Sequence, residues 1–150
     1  MVDIEPYVTV EDANTFFNSR LNTYPWDNAT DPERLKALKM ATRRIDRLQY
    51  LGVKLDPEQP LEFPRDFQTL VPEDVEMACC LAALAFLDGV DTDIEDHNLS
   101  TVTQAFSTAR TTYDPAVRRD YLRNGIPTSE VWHLLLPYLE DPLVVQISKV

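Results

Sequence analysis

Eleven consecutive residues, Met77 to Leu87, carry no charged, amide or hydroxyl side chain: Met-Ala-Cys-Cys-Leu-Ala-Ala-Leu-Ala-Phe-Leu. A helix through this run has no polar face to offer water, so it belongs at the centre of the fold. It is too short to cross a membrane, which takes about 20 apolar residues, and no stretch of the sequence is that long. Its alanines let neighbouring helices approach closely. Glu73, Asp74 and Glu76 suit the positive end of the helix dipole. The pattern predicts a mainly α protein, a small helical bundle around a central helix over 73–88.

Proline and glycine punctuate the rest. Asp31-Pro32 opens a run that closes at Gly52, Pro72 one that closes at Gly89, and Asp114-Pro115 one that closes at Gly125. Proline suits the first helical turn because its missing N–H would be unpaired there; glycine takes the left-handed turn past the last carbonyls. The chain has three glycines and all are used this way, which excludes a glycine-rich phosphate loop and a nucleophile elbow.

The expected helices are 10–21, behind the cap Thr9-Val10-Glu11-Asp12 with Ala13, Phe16, Phe17 and Leu21 on one face; 32–51, with Leu35, Leu38, Thr42, Ile45 and Leu48 as its apolar stripe; 115–124; and one from Ser129 that Pro137 should kink or end. Residues 53–71 read as a stiff proline-rich loop. Arg65, the only base between Lys54 and Arg110, is expected to pair with an acid or a helix C-terminus. Gly89 to Asn98 reads as an acidic loop. Residues 99–113, dense in Thr and Ser, read as an extended or β-hairpin arm, with a helix through Val102, Phe106 and Ala109 as the competing reading. The chain is expected to be one domain over 1–150, with a protruding loop or arm at 90–113. After Asp141-Pro142 comes a tail at 142–150, whose Leu143, Val144, Val145 and Ile147 suit docking on another chain.

The net charge of −11 is unevenly spread, with seven bases and one acid between residues 34 and 54 in an otherwise acidic or balanced chain. Lys36, Lys39, Arg43 and Arg47 form a basic stripe there. It is either a solvated face or a contact for an acidic partner surface or nucleic acid. The overall charge argues against a protein that coats nucleic acid with a basic face.

Candidate chemistry is sparse. Asp91, Asp93, Glu95 and His97 alternate like the start of a calcium loop, but Asp96 stands where glycine is required and Val102 where the bidentate Glu belongs. The two histidines, His97 and His133, have no zinc-site spacing to Cys or His. Cys79 and Cys80 are adjacent on a helix and read as small buried hydrophobes, which fits a reducing cytoplasm. The acidic N-terminus lacks a signal-peptide pattern. No catalytic, cofactor or metal residues are expected, and nothing supports an enzyme.

The order of small signals is more specific than any one of them. Tyr7-Val8-Thr9 precedes Asn14-Thr15-Phe16-Phe17, and Trp26 follows. Then come Ala37-Leu38, Ala41-Thr42-Arg43-Arg44-Ile45-Asp46, Asp56-Pro57, Phe63-Pro64-Arg65, Val71-Pro72 and the alanine-rich helix. Ile126-Pro127 and Leu135-Leu136-Pro137-Tyr138-Leu139 close the series. It resembles tailed-phage head–tail connector (adaptor) proteins, a group often labelled DnaT-like single-stranded DNA-binding. Residues 90–124 look longer than in the shorter form of that family. The resemblance implies a helical virion subunit in the neck, assembled in the host cytoplasm. Its partners would be the portal protein, copies of itself in a twelve-fold ring, and a downstream neck or tail-completion protein. Double-stranded DNA would pass through the lumen without specific binding, with no membrane, no cofactor and no catalytic residues. The label offers an alternative, a single-stranded DNA-binding replication accessory protein, which needs a basic groove with stacking aromatics.

Overall fold

The computed structural model describes residues 2–66, 68–100, 103–106, 109–112 and 120–140. Among them are seven α-helices and one short hairpin. The helices are α1 (Val10–Asn18), α2 (Tyr24–Asp27), α3 (Asp31–Asp46), α4 (Glu73–Leu87), α5 (Thr92–Ser100), α6 (Asp120–Arg123) and α7 (Ser129–Leu135). The antiparallel hairpin pairs β1 (Thr103–Phe106) with β2 (Ala109–Thr112), in the expected arm. A 3-10 turn over Leu136–Tyr138 holds Pro137, which ends α7 as expected.

The central helix lies where the apolar run predicts. α4 packs most extensively on α3 and α7, and also meets α1 and α2. Val75, Ala78, Cys79, Cys80, Leu81, Ala82, Ala83 and Ala85 are buried in it. Small residues bring α3 and α4 together: Ala37 and Ala41 are buried opposite, and Thr42 Oγ1 lies 3.4 Å from Cys79 Sγ. Burial pushes the Cys79 thiol up to about 11, so it stays protonated and behaves as a small hydrophobe.

Several boundaries differ from expectation. α1 stops at Asn18, not residue 21, because the Ser19 N–H closes back on Phe16 and Phe17; Leu21 is left 85% exposed instead of packing. α3 stops at Asp46, not residue 51. Two tertiary contacts take over there: the Tyr50 hydroxyl donates to the Ile45 carbonyl at 2.6 Å, and Tyr50 bridges to Leu139. Gly52 therefore closes no helix. Its positive φ serves the following loop, where any Cβ would collide with the Asp66 carboxylate. Leu35 is half out of the stripe assigned to it, and Ala37 and Ala41 fill the interface. The start of α3 is a full capping box, Thr30 with Glu33.

The acidic stretch after Gly89 is a helix, not a loop. The Asp91 carboxylate accepts from the N–H groups of Asp93 and Ile94, which caps the start of α5 and spends the first of the alternating acids. α5 packs on α6, and among the described residues of 90–113 this helix is followed by the hairpin. Of the helix expected at 115–124, Asp120–Arg123 is present; residues 113–119 and the tail from 141 lie outside the described residues.

Candidate interaction surface

α3 presents its charged face outward, and the chain uses much of that charge itself. Lys39 is half-buried and ion-paired to Asp3, with Nζ 2.8 and 2.9 Å from the two carboxylate oxygens. The Lys39 hydrogen bond and charge hold the Asp3 carboxyl below its usual range, with Arg43 adding to the effect. Arg34 donates to Asp31, to Asn14 and to the carbonyls of Trp26 and Asp27, and its guanidinium lies 5.2 Å from the Trp26 ring centre. Arg44 lies over Phe86 and reaches the Thr92 hydroxyl. Gly125 makes room for it, since a Cβ there would sit 2.7 Å from Nη1. Lys36 and Arg47 remain exposed, and Arg43 is half-buried. Lys36, Lys39 and Arg43 lie along α3 and Arg47 caps its end, while Leu143, Val144, Val145 and Ile147 lie outside the described residues.

Two clusters went unseen in the sequence. The first is built on Arg65, which is 7% exposed. Its Nε donates to the Leu51 carbonyl at 2.9 Å, one Nη to Gly52 at 2.6 Å and Tyr50 at 3.4 Å, and the other to the carbonyl and carboxylate of Glu62. The expected acid partner is present, and four backbone carbonyls are added to it. Asp66 closes the same loop, its carboxylate accepting from the Val53 N–H and its own N–H donating to the Val53 carbonyl. The only sequence signal for this clamp was a solitary Arg in a proline-rich stretch.

The second cluster joins the N-terminal segment to the end of α3. The Tyr7 hydroxyl donates to Asp46 and accepts from the Phe63 N–H at 3.3 Å, and Asp46 also accepts from the Glu62 N–H. Burial raises the Asp46 carboxyl above its usual range despite both hydrogen bonds, and the nearby Glu62 adds to the rise. Tyr7, Tyr50 and Tyr138 pack edge-on around Phe63.

The clamped loop turns apolar side chains outward. Leu51, Val53 and Leu55 are 54%, 70% and 47% exposed, on either side of the turn at Gly52 and just beyond it. Elsewhere, Ala37, Met40, Phe86 and Leu87 line a shallow apolar hollow of about 190 Å³ between α3 and α4, with Glu33 and Lys36 at its lip. Among the described residues no group of His, Cys, Asp and Glu is placed to hold a metal, and no helix is long and apolar enough to cross a membrane.

Fold and surface together define a small helical bundle with an acidic exterior and unpartnered apolar patches. The chain belongs to the family described as "Putative DnaT-like ssDNA binding protein", which matches residues 1–147. No curated protein and no solved structure matches it.

Proposed function

We propose that the chain is a structural subunit without catalytic activity, a head–tail adaptor that forms a ring beneath the portal of a tailed phage. One observation carries this reading: the cations of the basic region are largely bonded within the chain. Of the seven bases between residues 34 and 54, Arg34, Lys39, Arg44 and Lys54 each bond to groups of this protein. Of the remainder, Lys36 and Arg47 are exposed and Arg43 is half-buried, on a chain of net charge −11. Such a surface repels phosphates and suits a conduit through which DNA slides. The resemblance of the ordered motifs to connector proteins supplies the rest.

The family's description favours a second reading, single-stranded DNA binding. That function needs cations interleaved with aromatic stacking platforms. The outer face of α3 offers Leu35 and Met40 instead, and Tyr24 is the largely exposed aromatic among the described residues. Fluorescence anisotropy with a labelled oligonucleotide, alongside co-sedimentation with purified portal rings, separates the two. The adaptor reading expects portal binding and no sub-micromolar DNA affinity at about 150 mM salt. Tight DNA binding without portal binding overturns it in favour of the second.

A further inference from the structure

We propose that residues 2–6 are a removable acidic strap, which keeps the basic face of α3 off nucleic-acid strands until it lifts. The inference rests on the reading above, in which the cations are consumed within the chain, and it concerns a consumer that can leave.

The cations share one face. At about 100° per residue, Lys36, Lys39, Arg43 and Arg47 fall within about 80° of the circumference of α3. Acids stand at both ends of that face. Glu33 lies one turn before Lys36, in the capping box, and offsets its charge. Asp46 lies at the far end, but its carboxylate is taken by the Tyr7 hydroxyl and the Glu62 N–H. Lys39, Arg43 and Arg47 remain, at steps of about 6 Å along the axis.

The N-terminal segment lies along that face. Asp3 meets Lys39 through both carboxylate oxygens, the Tyr7 N–H donates to Thr42 Oγ1 at 3.1 Å, and the Tyr7 hydroxyl reaches Asp46. The Asp3 carboxyl feels Lys39 first and Arg43 as well, so it sits in the field of two of the three cations. The two ends of the segment are held differently. Tyr7 and Val8 are 8% and 6% exposed, whereas Val2 is 83% exposed. Asp3 and Glu5 are exposed, and Pro6 stands between them and the anchor. An ion pair so exposed adds little stability and weakens with salt, so residues 2–5 can swing away while Tyr7 stays. The partners of Arg34 and Arg44 belong to the packed helices α2 and α5 and have no such freedom.

The uncovered face suits a phosphodiester strand. Such a strand carries a charge on every unit, so it meets cations at one-turn steps whatever its sequence. Two of the three cations are arginines, whose forks match phosphate oxygens. A protein segment would need carboxylates at the same density. α3 carries no aromatic residue for bases to stack on, so the contact is electrostatic, dependent on salt and indifferent to sequence.

The test compares full-length variants by anisotropy of a labelled single-stranded oligonucleotide. Asp3→Asn with Glu5→Gln releases the strap. Glu58→Gln with Glu140→Gln removes the same charge from exposed positions elsewhere and is the control. At about 50 mM salt the strap variant should bind at least about fivefold tighter than the unaltered chain, and the salt slope should steepen by about 0.7 for each phosphate engaged. Adding Lys39→Ala and Arg43→Ala to the strap variant should remove the gain. Circular dichroism confirms that each variant folds. The proposal fails if the strap variant gains nothing, if the control gains as much, or if the gain survives loss of Lys39 and Arg43. A gain for a polyglutamate peptide and none for the oligonucleotide also overturns it, in favour of an acidic protein segment. Failure here with intact portal binding leaves the adaptor reading standing. A strap-dependent gain without portal binding removes that reading and leaves the strap.

Discussion

In the α3–α4 pair, apolar groups lie inside and charges outside; in the loop from Tyr50 to Asp66, a charge lies inside and apolar groups outside. The cause is where each backbone finds its hydrogen bonds. A helix satisfies its own N–H and C=O groups, so its inner side chains need carry no polarity, and Ala37, Leu38, Ala41 and Ala78 can pack directly. The loop has no regular ladder. Its carbonyls at 50, 51, 52 and 62 turn inward and need donors, and one guanidinium, with five N–H groups in a fixed fork, serves all four. With Arg65 occupying the inside, Leu51, Val53 and Leu55 are left facing out. The contrast teaches that in this loop the exposed apolar side chains follow from the way the irregular backbone is satisfied.

The sharpest way to break this comparison is to remove the fork. Arg65→Met should cost about 3–5 kcal/mol in urea unfolding, since it strands several buried carbonyls and the Glu62 carboxylate together. Arg65→Lys should recover less than half, because an ammonium cannot reach carbonyls on both sides. A loss under about 1 kcal/mol for the Met variant would show that water or neighbouring groups satisfy the loop equally well.

The helical side should respond through volume instead. Leu38→Ala and Leu81→Ala should each cost about 2–5 kcal/mol, as both side chains are buried between helices that cannot collapse further. Costs well below that range would mean α4 is less central than its burial indicates.

Asp46 joins the two regions, and its pH dependence sharpens the boundary. Its carboxyl is raised in the folded protein, so the folded state holds the proton more tightly than the unfolded chain. The stability it contributes is therefore full below the unfolded value and lost as pH rises through the folded one. Asp46→Asn keeps an oxygen to accept from Tyr7 and Glu62 and removes the charge. Its melting at pH 7 should be close to that of the unaltered protein or higher. As pH falls toward 4, the unaltered protein should gain on the variant. Parallel curves would show that burial of Asp46 carries no linked proton.

The smallest effect belongs to the outer face of α3. Lys39→Ala should leave melting almost unchanged, and any shift should disappear in high salt, because Asp3 is fully exposed. A large, salt-resistant loss would mean that the stripe is part of the scaffold in the same sense as Arg65.

These contrasts also mark what could be read in advance. The central helix was legible to within a residue because an all-apolar run of that length has one place to go, and Pro137 stopped α7 where a missing N–H must. The hairpin followed from β-branched density in 99–113. The acidic run 89–98 reads as a loop and folds as a helix, because composition alone cannot tell a solvated loop from a capped surface helix. The deciding detail is the Asp91 carboxylate on two N–H groups.

The sequence by itself determined the class of fold, the identity of its central helix and most helix starts, since periodicity, caps and proline act over a few neighbouring residues. The tertiary structure decided where α1 and α3 stop, which leucines stay outside, and how the buried charges are partnered. Tyr7 meets Asp46 across 39 residues and Arg65 meets Tyr50 across 15. Such contacts leave no local pattern, because only the packed helices bring their partners within hydrogen-bonding distance.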